Sequence, residues 1–261
     1  MNTLAHFDGQ LTAARTARAY LTEIRYEFTR VVRNPALGLP IVLVPVALYV
    51  LIAVVVAGEA IDKDPNLGVF LFSGFAVLGI TMPSLFTIGG TLAIEREMGL
   101  LRLRRAQPAP AGSWLVSKIV CGMALSLLAY LPMVAIGVAA GKIPLQPGQI
   151  VAMSVALLAG SIPFCALGLM VGALVKGSAA TGYANIIYLP GCYLSGLFFP
   201  LPQSMYWQAP FWPQFHVSQL AMHAAGISKY QFLPVQMAIA ALVGFTVLFS
   251  AIAIWRLARK G

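Results

Sequence analysis

Residues 68–94 read GVFLFSGFAVLGITMPSLFTIGGTLAI, a run without one charged side chain. A helix rises about 1.5 Å per residue, so about 20 such residues cross the ~30 Å hydrocarbon core of a bilayer. Five further runs share the property: no Asp, Glu, Lys or Arg occurs in 34–58, 119–141, 143–175, 177–228 or 230–255. A β-barrel would instead alternate apolar and polar residues over strands of about ten, and no such alternation appears. The composition agrees, with 59% hydrophobic and 10% charged residues in 261 and a mean hydropathy of +0.84. A soluble domain carries about 25% charged residues. The sequence therefore excludes a soluble globular protein and predicts an all-α polytopic membrane protein.

The formal net charge of +9 would point to nucleic acid in a soluble protein. In a membrane chain its placement matters more, and no nucleic-acid partner is expected. Arg15, Arg18, Arg25, Arg30 and Arg33 precede the first run. Arg96, Arg102, Arg104, Arg105 and Lys118 separate the second from the third. Lys176, Arg256, Arg259 and Lys260 complete one side, leaving only Lys63, Lys142 and Lys229 for the other. Positive-inside bias then puts both termini in the cytoplasm. The expected spans lie near 39–57, 67–93, 117–140, 148–175, 178–199 and 234–255, in a single transmembrane domain covering 1–261. Residues 177–228 could supply two crossings, but Pro200, Pro202, Pro210 and Pro213 interrupt them, and proline breaks or kinks helices. One span followed by an external loop over 200–230, dipping back as a re-entrant helical segment, is the expectation.

Residues 1–12 lack the apolar core of a signal peptide. Residues 14–33 place Arg15, Arg18, Thr22, Arg25, Thr29 and Arg33 on one helical face and Ala17, Leu21, Ile24, Phe28 and Val31 on another. That pattern predicts an amphipathic helix along the inner leaflet, with the lipid bilayer or a partner protein against it. Cys121, Cys165 and Cys192 all fall within spans and read as small buried hydrophobes. No GxxxxGK[ST], HExxH or GxSxG motif occurs, so no catalytic site is expected. The spans are read as free of ionisable groups, which ion-coupled carriers normally keep there. The energy for any transport should then come from another subunit.

The richest charged segment is the inner loop 95–112, opening Glu95-Arg96-Glu97-Met98-Gly99-Leu100-Leu101-Arg102-Leu103-Arg104-Arg105 and continuing through Ala106 to Pro108. Acids first and cations afterwards suit a helix dipole. Glu95 at the membrane boundary is expected to pair with an arginine of 14–33.

Glu95-Arg96-Glu97-x-Gly99, the leucines and Ala106-x-Pro108 resemble the inner loop of ABC-2 type exporter permeases. The family pattern is roughly E-R-E-x-G-T-x-E-x-L-L-x-x-P, from which this chain departs at Leu100, Arg102 and Gln107. Gly196-Leu197-Phe198-Phe199-Pro200 is similar to the family's G-x-F-F-P turn, and 14–33 to its connecting helix. The resemblance implies a bacterial inner-membrane half-transporter: two permease copies, as homodimer or heterodimer, with two cytoplasmic ATP-binding subunits. ATP and Mg would be bound by those subunits and no cofactor by this chain. It implies ATPase coupling through Glu95, Arg96, Glu97, Gly99, Arg102, Arg104 and Arg105, helped by Arg25 and Arg30. Drugs, lipids, polysaccharides and natural products are family substrates, and an amphipathic one moved outward is the expectation here. A secondary carrier, a channel or a membrane anchor for another complex are the alternatives.

In the fifth span Asn185, Tyr188, Tyr193 and Ser195 are either interhelical hydrogen-bonding groups or the lining of a substrate path, together with Phe198 and Phe199. Tyr206, Trp207, Phe211, Trp212 and Phe215 are expected to anchor the external loop at the interface. His216 and His223 stand seven apart without a third ligand, so no metal site is expected.

Overall fold

The computed structural model describes residues 13–105, 110, 113–177 and 179–260. Residues 1–12, and Ala106 to Pro108 of the inner loop, lie outside them. In chain order the helices are α1 (Ala13–Val32), α2 (Pro35–Tyr49, running on as a π-helix over Val50–Val56) and α3 (Gly58–Lys63). Next come α4 (Pro65–Glu97), α5 (Leu100–Arg105), α6 (Ser113–Ala139), α7 (Pro147–Gly160) and α8 (Ile162–Leu174). The series ends with α9 (Ala179–Leu194), α10 (Pro213–Ala225) and α11 (Val235–Lys260). Among the described residues all regular structure is helical.

Residues 68–94 form the interior of α4. Asp64 starts that helix by accepting the Asn66 N–H at 3.2 Å, with Pro65 in the first turn, where a missing N–H costs nothing. At the far end Gly99 takes φ +72, the left-handed conformation glycine adopts just past a helix C-terminus. Helix α4 is apolar all round because it is surrounded: α2, α6, α8, α9 and α10 pack on it, and 94% of its most apolar window is buried. Its contact with α8 is made through glycines. A Cβ on Gly168 would stand 2.6 Å from the Leu85 carbonyl oxygen, and one on Gly172 2.8 Å from that of Gly89. The small-residue stripe lets the two backbones touch.

Among the described residues five helices are long and apolar enough to cross a membrane: Gly38–Val56, Pro65–Glu97, Ser113–Ala139, Pro147–Leu174 and Val235–Arg259. They coincide with five of the expected spans. The fourth is α7 and α8 in line, interrupted at Ser161 just before Pro163. The expected span 178–199 is shorter. Helix α9 has 16 residues, about 24 Å at 1.5 Å each. It stops because Gly196 turns the chain at φ +71 and Leu197 dives beneath it, its backbone lying where a Cβ on Gly74 of α4 would be.

The segment 200–230 is mostly not a surface loop. Two 3-10 turns (Gln203–Met205 and Ala209–Phe211) lead into α10, which is buried along most of its length against α7, α11, α4 and α9. The sequence reading expected an external loop with a re-entrant helical segment here, without indicating which of its polar residues would be buried. Gln219 is satisfied by the adjoining loop, where Phe232 N–H donates to its Oε1 at 2.7 Å and its Nε2 donates to the Tyr230 carbonyl at 3.2 Å, while Gln214 Nε2 donates to the Tyr188 carbonyl of α9 at 3.3 Å. Of the expected interfacial aromatics, Trp207 and Phe211 are exposed while Phe215 is core.

Candidate functional site

Helix α1 has the expected amphipathic sequence, but one acid breaks the pattern. Glu27 shares the face of Ile24, Phe28 and Val31, and it is buried. It points at α6, where Lys118 has no exposed side-chain surface. Lys118 Nζ lies 2.9 Å from each of Glu27 Oε1, Glu95 Oε1 and Thr91 Oγ1. Arg30 Nη1 donates to Glu95 Oε1 at 2.5 Å and stands 3.6 Å from Glu27 Oε2. Trp114 Nε1 donates to Glu95 Oε2 at 2.8 Å. Two carboxylates and two cations thus form a neutral cluster that ties α1 to α4 and α6.

The expected pairing of Glu95 with an arginine of 14–33 is present, and Arg30 is that arginine. The reading that the spans hold no ionisable group is corrected: Lys118 sits a turn and a half inside α6, and Glu95 in the last turns of α4. Buried ions are tolerated only when paired and hydrogen-bonded, and each carboxylate here meets both cations. Lys118, Glu27, Thr91 and Trp114 were missed. An acid on the apolar face of an amphipathic helix was the one available signal.

Glu95, Arg96 and Glu97 are not loop residues but the end of α4. Arg96 Nη2 donates to the Val175 carbonyl at 2.7 Å, at the C-cap of α8. Glu97 is exposed and lies over Gly177 where a Cβ would be. Gly99 makes the turn into α5, whose backbone carries Arg102, Arg104 and Arg105. Arg25 is exposed on α1 and shares a surface hollow with Thr22, Tyr26, Thr29 and Arg33. The coupling candidates Glu95, Arg96 and Arg30 therefore meet at one end of the bundle.

The substrate-path candidates separate. Tyr188 is wholly buried; its hydroxyl is 2.6 Å from Thr81 Oγ1 and donates to the Leu78 carbonyl at 3.2 Å. Phe86 and Phe164 meet its ring edge-on. Ser195 donates to the Cys192 carbonyl within its own turn, and Phe198 packs on Phe75. Tyr188 and Phe198 pack the segment against α4, and Ser195 is satisfied within its own turn. Asn185 lines a cavity between α9, α4, α2 and α1, whereas Tyr193 and Phe199 are 63% and 65% exposed.

At the opposite end, His216 of α10 presents Nε2 to the Pro210 carbonyl at 2.8 Å. Burial lowers its pKa, against the raising effect of that bond. A histidine depressed in the folded state protonates more readily when unfolded, so its contribution is present at neutral pH and lost as pH falls through ~6.5 and below. His216→Gln is expected to flatten the fall in thermal midpoint between about pH 7 and 5; an unchanged slope would assign the acid sensitivity elsewhere.

Residues 18–225 match the family model described as ABC-2 type transporter. Among curated proteins, "Putative transport permease YvfS" of Bacillus subtilis (strain 168) is 25% identical over 193 residues, covering 73% of this chain and 78% of that protein.

Proposed function

The chain belongs to the ABC-2 type transporter family, and on that premise we propose that it is the permease subunit of an ATP-driven exporter. It is a multi-pass transmembrane protein. In this proposal both termini face the cytoplasm of a bacterial inner membrane, and α9 with its following turn completes a sixth crossing. Two copies, identical or related, associate with two cytoplasmic ATP-binding subunits that hold ATP and Mg. The chain has no catalytic site of its own and moves an amphipathic, drug-like or lipid-like substrate outward.

The observation that carries this reading is the Glu27–Lys118–Glu95–Arg30 cluster. It joins the basic surface helix α1 to α4, the helix at the centre of the bundle, at the end where α5 and Glu97 are presented. A push delivered to α1 by a partner would be passed to α4 through short charge-assisted bonds rather than through lipid, and one delivered to α5 would reach α4 along the chain through Gly99.

Copurification of the tagged chain with an ATP-binding subunit tests the proposal. Glu97→Lys is expected to lower transport-coupled ATP hydrolysis about tenfold, the value of one lost charge-assisted contact, with membrane insertion unchanged. Transport by the purified chain without any ATPase would instead favour a secondary carrier, in which the buried Lys118 would be the group to examine.

A further inference from the structure

Beside the ion cluster lies a cavity of about 270 Å³ lined by α1, α2, α4 and α9 and open on one side. Its α4 wall runs from Ile94 to Met82, three helical turns or about 18 Å. Arg30 and Asn34 stand at the end nearest the cluster, and Ile41, Met82 and Phe86 line the apolar remainder. The cavity is narrow and long, polar at one end and greasy at the other. Its volume is near the small end of the ~300–1,000 Å³ range of ligand pockets, suited to one alkyl chain.

The charge at its polar end has a definite sign. Among the described residues no carboxylate lines the cavity. Glu27 and Glu95, the acids nearest to it, are 4% and 2% exposed and turned toward Lys118. Arg30 has 40% of its side chain exposed, and among the described residues only its Nη1 is engaged. A guanidinium carries five N–H donors in a planar fork that suits phosphate and carboxylate oxygens.

We infer that this cavity binds a membrane amphiphile with an anionic headgroup. The headgroup sits on the free edge of Arg30 beside Asn34, and the alkyl chain runs along α4 toward Met82, passing Asn185 and Thr181 on α9. This deepens the transporter reading by naming a substrate class, and it depends on that reading only for what becomes of the amphiphile afterwards.

The test uses the purified full-length chain in phosphatidylcholine nanodiscs, titrated with dodecyl phosphate. Dodecyltrimethylammonium supplies the same chain with the opposite charge, and inorganic phosphate the same anion without a chain. Saturable binding of dodecyl phosphate is expected, at least ~tenfold tighter than the cation and not displaced by inorganic phosphate. Arg30→Gln should weaken it by a similar factor. Because Arg30 also serves the ion cluster, Gly90→Leu provides an independent arm. Gly90 lines the cavity, makes no bond to the cluster, and a Cβ there meets Thr181 Oγ1 at an ordinary 3.5 Å, so the leucine is expected to take up cavity volume and abolish binding too. Equal binding of the cation, displacement by inorganic phosphate, or unchanged binding by Gly90→Leu would each overturn the inference. Copurification with an ATP-binding subunit is unaffected by any of these outcomes, so the two readings fail separately.

Discussion

Lys118→Met is expected to cost ~3–5 kcal/mol, the usual loss when one partner of a buried ion pair is removed. That corresponds to about two to four orders of magnitude in the folding equilibrium. The substitution leaves Glu27 and Glu95 buried with Arg30 alone, so a neutral cluster becomes a net anion in a place water does not reach. Two comparisons separate this cause from simple loss of a side chain. Lys142→Met removes an ion pair with Asp62, whose side chain is 62% exposed, and should cost no more than ~1 kcal/mol. Adding Glu27→Gln to Lys118→Met restores neutrality, with Glu95 still held by Arg30 and Trp114, and should recover much of the loss. The thermal midpoint of the purified chain reads all three, with protease protection of α1 as a local measure. Equal losses for Lys118→Met and Lys142→Met, or no recovery in the double variant, would remove the cluster from its assigned place in the joint between α1 and α4.

The same residue marks the limit of what the sequence disclosed. Uncharged runs of adequate length are a one-dimensional signal, which is why the five long helices were legible almost to their ends. Lys118 stands at the edge of such a run, where a cation reads as a topology marker. Its carboxylate partners come from 91 and 23 residues away, beyond any local pattern. Glu95 and Arg30 were foreseeable together because both sit where the chain leaves the bilayer. The end of α9 was not, since hydropathy continues well past it; the stop is set by Gly196 and by the docking of Leu197 on Gly74. A helical segment within 200–230 was legible, but its packing was not, because the backbone groups that meet His216 and Gln219 lie in neighbouring turns and loops. Tyr188 illustrates the same gap among the site candidates, because only the fold shows that its hydroxyl is already committed to α4.

Gly168→Val is expected to be nearly as damaging as the loss of Lys118. At this position the added atoms meet backbone: Leu85 O at 2.6 Å and Gly89 N at 3.2 Å from the Cβ alone. A flexible neighbour could swing aside, but a carbonyl within α4 moves only if the helix moves. Helix α4 is gripped on its other sides by α2, α6 and α9, so relief requires α8 to back away along its length. Overpacking a well-filled interior costs ~1–3 kcal/mol and sometimes more; the upper part of that range is expected here, because α8 would also lift from Gly172's contact with Leu92 and Gly89. Gly182→Ala on α9 is the matched control, since a Cβ there meets nothing within 4 Å. In a helix interior that change should be neutral or stabilise by ~0.5–1 kcal/mol. A van der Waals argument also dictates an ordering, with Gly168→Ala falling between the control and Gly168→Val. If all three variants melt together, α4 and α8 are not in backbone contact, and the central position given to α4 would have to be abandoned with it.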